Sequence, residues 1–484
     1  MGISTDKKDL SNPFNFEAFG THKFRIPCLT TLKNGNILAV SDVRASGLDS
    51  PDNIEIGVRI LDKTTNEWGE PIIAMEFDDY ERGADSQNSA SYIDSAIVQT
   101  ESGRIFMLSD AMPSDTGGGT GTGYNGMVTV GGKHYYALTR GDATLTEGYD
   151  YYLFPNPEPD GEHDKYIIKK VSDSSDTEYT ADGKMCLYKN GERLFVKQQP
   201  NNTVDVPMSI FYSRSELQLY HTAYWALSYS DDNGLTWSDP VLVGSEYRGS
   251  DENFYNKSPG LGYQVKKGKY KGRIIFPIYM GYDFFDLSVA MFYSDDGGAT
   301  WSLGEKIAMN KGTVTDGEGN TRSLDPGYGC EAQLIELPDG TLRVFSRTSS
   351  KYIGYADSLD GGVTFEPLRN DFGLEYCFDC MVSVINYGKK IDGCDAVIIS
   401  YPERRGRYDG RIKIGLIKEN EGFDAPAYDR YTIDWKYKYE INEGVFWYSC
   451  LAELENDGIA ILYEPGTSQI YKEFTIDEIK NFKK

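Results

Sequence analysis

The chain has 484 residues with 49 Lys and Arg against 74 Asp and Glu, a formal net charge of -25. A field of that sign repels polyanions, which excludes nucleic acid and an anionic membrane surface as partners. The 36 Tyr and 51 Gly favour many short strands joined by tight turns over helices, and only 4 His are available for a His-based triad or metal centre.

The first residues, MGISTDKKDL, have neither a basic nor an apolar leader region, and no apolar run is long enough to span a membrane. The chain is therefore expected to be the catalytic part of a longer precursor. Blade-like strands are expected at residues 36–42, 55–61 and 104–109. Residues 115–223 differ in character, opening with GGGTGTG and containing NPEPDGEHDK and SDSSDTEYTADGK. This stretch reads as an inserted, mostly-β domain with strands at 165–171 and 185–188, between propeller parts 1–114 and 224–484.

Beyond it an eight-residue pattern, S-x-D-x-G-x-T-W, begins at Ser230 and Ser294 and returns at Ser358 with Phe365 in place of Trp, a constant spacing of 64 residues. That period suits a four-stranded blade with its loops. Ser and Asp can satisfy the turn's backbone donors, Gly permits positive φ and the aromatic plugs adjacent sheets, so the boxes read as structural staples. A decayed copy is expected at Glu421-Gly422-Phe423, between strands, and a terminal helix at 476–482. The seven Cys give one lone CxxC, Cys377 and Cys380, read as buried or loop thiols.

Phe24-Arg25-Ile26-Pro27 followed by these boxes resembles the F/Y-R-I-P and Asp-box signature of bacterial exo-α-sialidases (neuraminidases), a glycoside hydrolase family, over nearly the whole chain. The resemblance implies an all-β fold, a six-bladed β-propeller with a small inserted domain. It also implies a monomeric, secreted or cell-surface enzyme without cofactor, metal or membrane insertion. Its substrates would be sialylated glycoproteins, glycolipids or oligosaccharides.

Residue by residue, Arg25, Arg347 and Arg407 resemble the arginine triad that grips the sialic acid carboxylate. Arg343 shares strand parity with Arg347 and is its alternative; Arg404, Arg405 and Arg411 compete with Arg407. Tyr448 matches the nucleophile and Glu331 its partner base. Asp49 matches the acid/base, with Asp52 as a rival, while Arg44 would bind near the sugar's 4-hydroxyl and Asp110 line the same pocket.

The chemistry is coherent. A sialoside carries its carboxylate on the anomeric carbon, so a guanidinium cluster can hold it, and a phenol attacks where a carboxylate nucleophile would be repelled. A phenol's reference pKa of about 10 then demands a base. The cluster is also expected to overcome the chain's acidic field within a screening length of about 8 Å. Members that transfer the sugar to its own glycerol hydroxyl carry a Trp some twenty residues after the nucleophile. Here no Trp follows Trp447, which favours hydrolysis over an anhydro product; an aromatic from the insertion is the substitute to look for. A non-catalytic sialic-acid-binding propeller is the rival from another class.

Overall fold

The computed structural model describes residues 11–77, 88–119, 124–144, 149–197, 205–375 and 379–483. Cys377 of the CxxC pair and Gly121 and Gly123 of the glycine run lie outside them. The chain is all-β and propeller-like, and its α-helices among the described residues are short, Phe16–Phe19 and Ile476–Asn481. The latter starts on a capping box, Thr475 with Glu478.

One sheet runs Lys23–Thr31, Ile37–Arg44, Ile54–Asp62, Ser91–Gln99, Ile105–Met112, Tyr224–Ser230 and Val241–Val243 in hydrogen-bonded order. Its two halves meet through one parallel pair, Ile54 with Ser91. Four antiparallel sets follow, opening on Phe254–Lys257, Gly329–Glu336, Ser383–Ile391 and Ser449–Glu453. The strands Gly329–Glu336, Ser383–Ile391, Ser449–Glu453 and Lys23–Thr31 contact one another in succession, so the opening strands face a shared axis.

Strands with both faces covered read as continuous apolar runs rather than alternating ones. Ile37–Arg44, Gly329–Glu336 and Leu342–Thr348 are buried at every position. Any charge on them must therefore be paired or hydrogen-bonded, and they carry Asp42, Arg44, Glu331, Glu336, Arg343 and Arg347.

The 64-residue boxes form the staples expected. In one, Asp296 Oδ1 accepts from Ser294 Oγ and Thr300 N, both at 2.8 Å, while Oδ2 accepts from Thr300 Oγ1 at 2.6 Å. Trp301 stacks on Phe292 at 4.9 Å and meets Phe106 of the preceding sheet edge-on at 6.1 Å. Each such aromatic pair is worth about 0.5–1.5 kcal/mol beyond the area it buries. Gly298 is obligatory here: its φ is 94° and a Cβ would come within 2.4 Å of Phe106. The decayed copy at Glu421 falls in a turn between Tyr408–Glu419 and Tyr431–Val445.

The chain leaves the second half of the first sheet at Met112 and re-enters it at Tyr224, which pairs with Ala111. Between these points lies a separate eight-stranded sheet that includes Tyr166–Lys170 and Leu187–Lys189, close to the expected strands. It is fastened by aromatics, Phe77 stacking on Tyr92 at 4.3 Å and meeting Phe211 at 4.9 Å.

Candidate active site

Three opening strands carry a one-residue bulge at the same end: between Arg25 and Cys28, between Ile93 and Ala96, and between Gly329 and Ala332. A bulge bends the strand and re-aims a side chain. Here the re-aimed residues include Arg25, Asp94 and Glu331. Ile26 and Asp94 take φ of 58° and 63°, and for β-branched Ile this is a strained conformation that the surroundings must enforce. Glu464 enforces it, Oε1 accepting from Ile26 N at 2.5 Å and Oε2 from Arg25 Nε at 3.0 Å and Tyr448 N at 3.2 Å.

A cavity of about 340 Å³ opens at this end, lined by Arg25, Asp49, Asp94, Glu331, Arg347, Arg407 and Tyr448, with Phe254, Tyr279 and Phe284 on one wall. Tyr448 Oη donates to Glu331 Oε1 at 2.5 Å, and Arg347 Nη1 spans both, 3.1 Å from Tyr448 Oη and 3.0 Å from Glu331 Oε2. Burial, then the Glu331 carboxylate, push the Tyr448 phenol well above its ordinary pKa, against the pull of Arg347 and Arg407. The phenol therefore rests protonated, with its proton already directed at a carboxylate. Arg25 and Arg407 lie 5.6 and 5.4 Å from the Tyr448 ring centre.

Several of the competitors are committed to other groups. Arg343 is spent on Asp357, at 2.6 and 2.7 Å, and on the Tyr431 carbonyl. Arg404 pairs with Asp409, and Arg411 with Glu403 and Glu440. Asp52 is turned into its own loop, accepting from Ser46 N and Oγ, while Asp49 stands at the rim with its side chain 76% exposed and 2.5 Å from Arg44 Nη1. Loss of hydration would raise the Asp49 pKa. The charge and hydrogen bond of Arg44, with Arg25 and Arg407 beyond, win and hold it below the ordinary value.

Two of the residues expected to line the sugar site, Arg44 and Asp110, are fully buried. Arg44 is fully buried and commits its guanidinium to Asp42, Asp49 and the Leu48 carbonyl, so it holds Asp49 instead of facing the cavity. Asp110 accepts from Asn256 Nδ2 and Lys257 N, both at 3.2 Å, behind the cavity wall. Burial there raises its pKa to about 8, and raises Asp42 to about 7 and Asp94 to about 6.

The expected surplus of positive charge also takes another form. Arg25 has Glu464, Arg44 has Asp42 and Asp49, and Arg347 has Glu331 and Asp379. Among the described residues Arg407 has no such ion pair and donates to the Asp379 carbonyl. The cluster offers directed N–H groups more than net charge. Asp42, Asp94, Asp379 and Glu464 were not singled out from the sequence, since each is a lone acid outside any motif; the bulge that aims Asp94 shows only in strand register.

Opening strands around an axis, Asp-box staples at one end and an arginine-lined Tyr–Glu couple at the other define a propeller of the glycosidase type. A model of the BNR repeat-like domain matches residues 183–397. The anhydrosialidase of Macrobdella decora is 33% identical over 95% of this chain, which spans 60% of that protein's length. The intramolecular trans-sialidase from Ruminococcus gnavus, solved with oseltamivir carboxylate, superposes with a TM-score of 0.83 at 31% identity, covering 98% of this chain and 99% of that one. A leech intramolecular trans-sialidase, solved with 2,7-anhydro-Neu5Ac prepared by soaking with 3'-sialyllactose, gives 0.82 at 30% identity over 99% of this chain and 71% of that one. The chain belongs to the sialidase family.

Proposed function

We propose that the protein is an exo-sialidase that cleaves terminal α-linked sialic acid from glycoconjugates through a covalent tyrosyl intermediate, with retention. The observation that carries this reading is the hydrogen-bonded Tyr448–Glu331 couple bridged by Arg347. Arg25, Arg347 and Arg407 hold the substrate carboxylate. As Tyr448 Oη bonds to the anomeric carbon its proton passes to Glu331, while Asp49 protonates the departing glycosidic oxygen. The substrate carboxylate offsets Arg25 and Arg407, which otherwise hold Asp49 deprotonated, so Asp49 can take up the proton it then donates. In the second half Asp49 takes a proton from the incoming hydroxyl, and Tyr448 leaves with the proton returned by Glu331.

Two fates of the intermediate remain. Water gives free sialic acid, and the lack of a Trp after Trp447 supports that outcome. The sugar's own glycerol hydroxyl gives an anhydro sugar, and the names of three of the relatives matched over nearly this whole chain support that one. Phe254 and Phe284 supply an aromatic wall from the propeller itself, where the sequence pointed to the insertion. Mass spectrometry of the product from a sialyllactose decides: the anhydro product is lighter by one water. No release from a fluorogenic sialoside at any pH between about 4 and 8, the span in which such carboxyl groups titrate, would end the enzymatic reading and leave a binding propeller.

We also read six blades, with the first sheet split at the Ile54–Ser91 pair, and an inserted domain at 115–223 between propeller parts 1–114 and 224–484.

A further inference from the structure

Arg347 and Arg407 come from different sheets, yet one residue touches both. Asp379 Oδ1 accepts from Arg347 Nε at 2.9 Å and Nη2 at 2.7 Å, while its backbone carbonyl accepts from Arg407 Nε at 3.2 Å and Nη2 at 2.9 Å. Tyr328 Oη donates to the same Oδ1 at 2.6 Å. The φ of Asp379 is 54°, a left-handed conformation that Asp and Asn tolerate better than most residues. The neighbouring Cys380 thiol reaches the Trp447 carbonyl at 3.5 Å, next to Tyr448.

We infer that Asp379 is a positioning residue that sets two of the carboxylate-binding arginines at once, its side chain holding Arg347 and its carbonyl holding Arg407. This rests on the sialic-acid reading of the cavity. A guanidinium is planar, with its donors in a fixed fork. Arg347 is held on one edge by Asp379 and at Nη1 by Glu331 and Tyr448. Without the outer anion, Glu331 draws the fork inward, away from a ligand carboxylate and into competition with the Tyr448 proton. The carboxylate is ready for this part: burial alone would raise its pKa, but Arg347 and the Tyr328 hydroxyl hold it below the ordinary value.

The test uses the full chain and two ligands, the 2,3-didehydro analogue of N-acetylneuraminic acid and its methyl ester, titrated by calorimetry. Asp379→Asn keeps the shape, the φ preference and the carbonyl, and removes only the charge. It is expected to bind the acid about tenfold more weakly, the scale of one weakened charge-assisted hydrogen bond, and the ester within about twofold of wild type. Tyr328→Phe leaves Asp379 in place but unsteadied, and is expected to show a smaller loss, about two- to threefold, also confined to the acid. This second variant carries the test if Asp379→Asn melts early. Equal losses on acid and ester, or unchanged or tighter acid binding, overturn the inference while wild-type binding stands. A wild-type chain that binds neither ligand overturns the sialic-acid reading with it.

Discussion

The strand Leu342–Thr348 carries two buried arginines four residues apart, and they lead different lives. Arg343, toward the Asp-box end, is closed off: its cross-strand partner Asp357 takes both prongs of the fork and the Tyr431 carbonyl takes a further N–H. Arg347, at the cavity end, is held by Asp379 and Glu331 but also touches the Tyr448 hydroxyl and lines open space. The same residue type, on one strand and one face, is closed off in one place and open to a cavity in the other. What divides them is the company supplied by other strands, so parity could not choose between them.

The sharpest way to break this comparison is to remove the group that only the cavity end has. Tyr448→Phe is expected to lower kcat for a fluorogenic sialoside by on the order of a thousandfold or more, with an unchanged melting temperature. A merely structural tyrosine would give the reverse pattern. At the other end, Arg343→Ala strands a buried Asp357 and should cost about 3–5 kcal/mol of stability in denaturant titration. Its folded fraction should keep the wild-type KM; a raised KM would mean the two ends are coupled. Asp49→Asn should slow natural sialosides about a hundredfold and activated aryl sialosides only a few-fold, because a good leaving group needs no proton. Equal losses would move the acid role elsewhere.

The smallest effect concerns pH. Asp110 has a folded pKa of about 8, above its unfolded value of about 3.9. The folded state therefore binds the extra proton between those values, and stability falls as pH rises through that window. Asp296, in an Asp box, is shifted the other way, to about 2 by the hydroxyl and amide of Thr300, so its contribution is lost as pH falls from about 3.9 toward 2. Asp110→Asn should flatten the decline of melting temperature between about pH 5 and 8 and leave the acid limb alone. An unaltered slope would show that Asp110 is not the group being titrated.

The staples and their period could be read from the chain because their chemistry is local and self-contained, whereas Arg25, Glu331 and Tyr448 stood out only through their resemblance to family motifs. The acids behind them could not. Glu464 lies in a motif-free stretch, Glu464-Pro465-Gly466, and its partners Arg25 and Ile26 are more than four hundred residues away. Asp42 and Asp94 meet only when the strands Ile37–Arg44 and Ser91–Gln99 come together, Asp94 N donating to Asp42 Oδ1 at 3.2 Å. The burial of Arg44 was equally hidden, since it depends on the loop carrying Leu48 and Asp49 folding back over it.

The Glu464 contacts have a further consequence for how activity arises as the chain is made. Arg25 belongs to the first strand of the propeller and Tyr448 adjoins the last sheet, and Glu464 joins them while Phe24 N donates to the Thr467 carbonyl at 2.8 Å. Tyr448 and Arg25 therefore meet only at the seam where the last sheet comes against the first. A nascent chain that has emptied most of its length from the ribosome holds nearly every site residue and still has no site. Formation of the cavity thus reports that the first and last sheets have met, and Ile26 N is bonded to Glu464 across that seam.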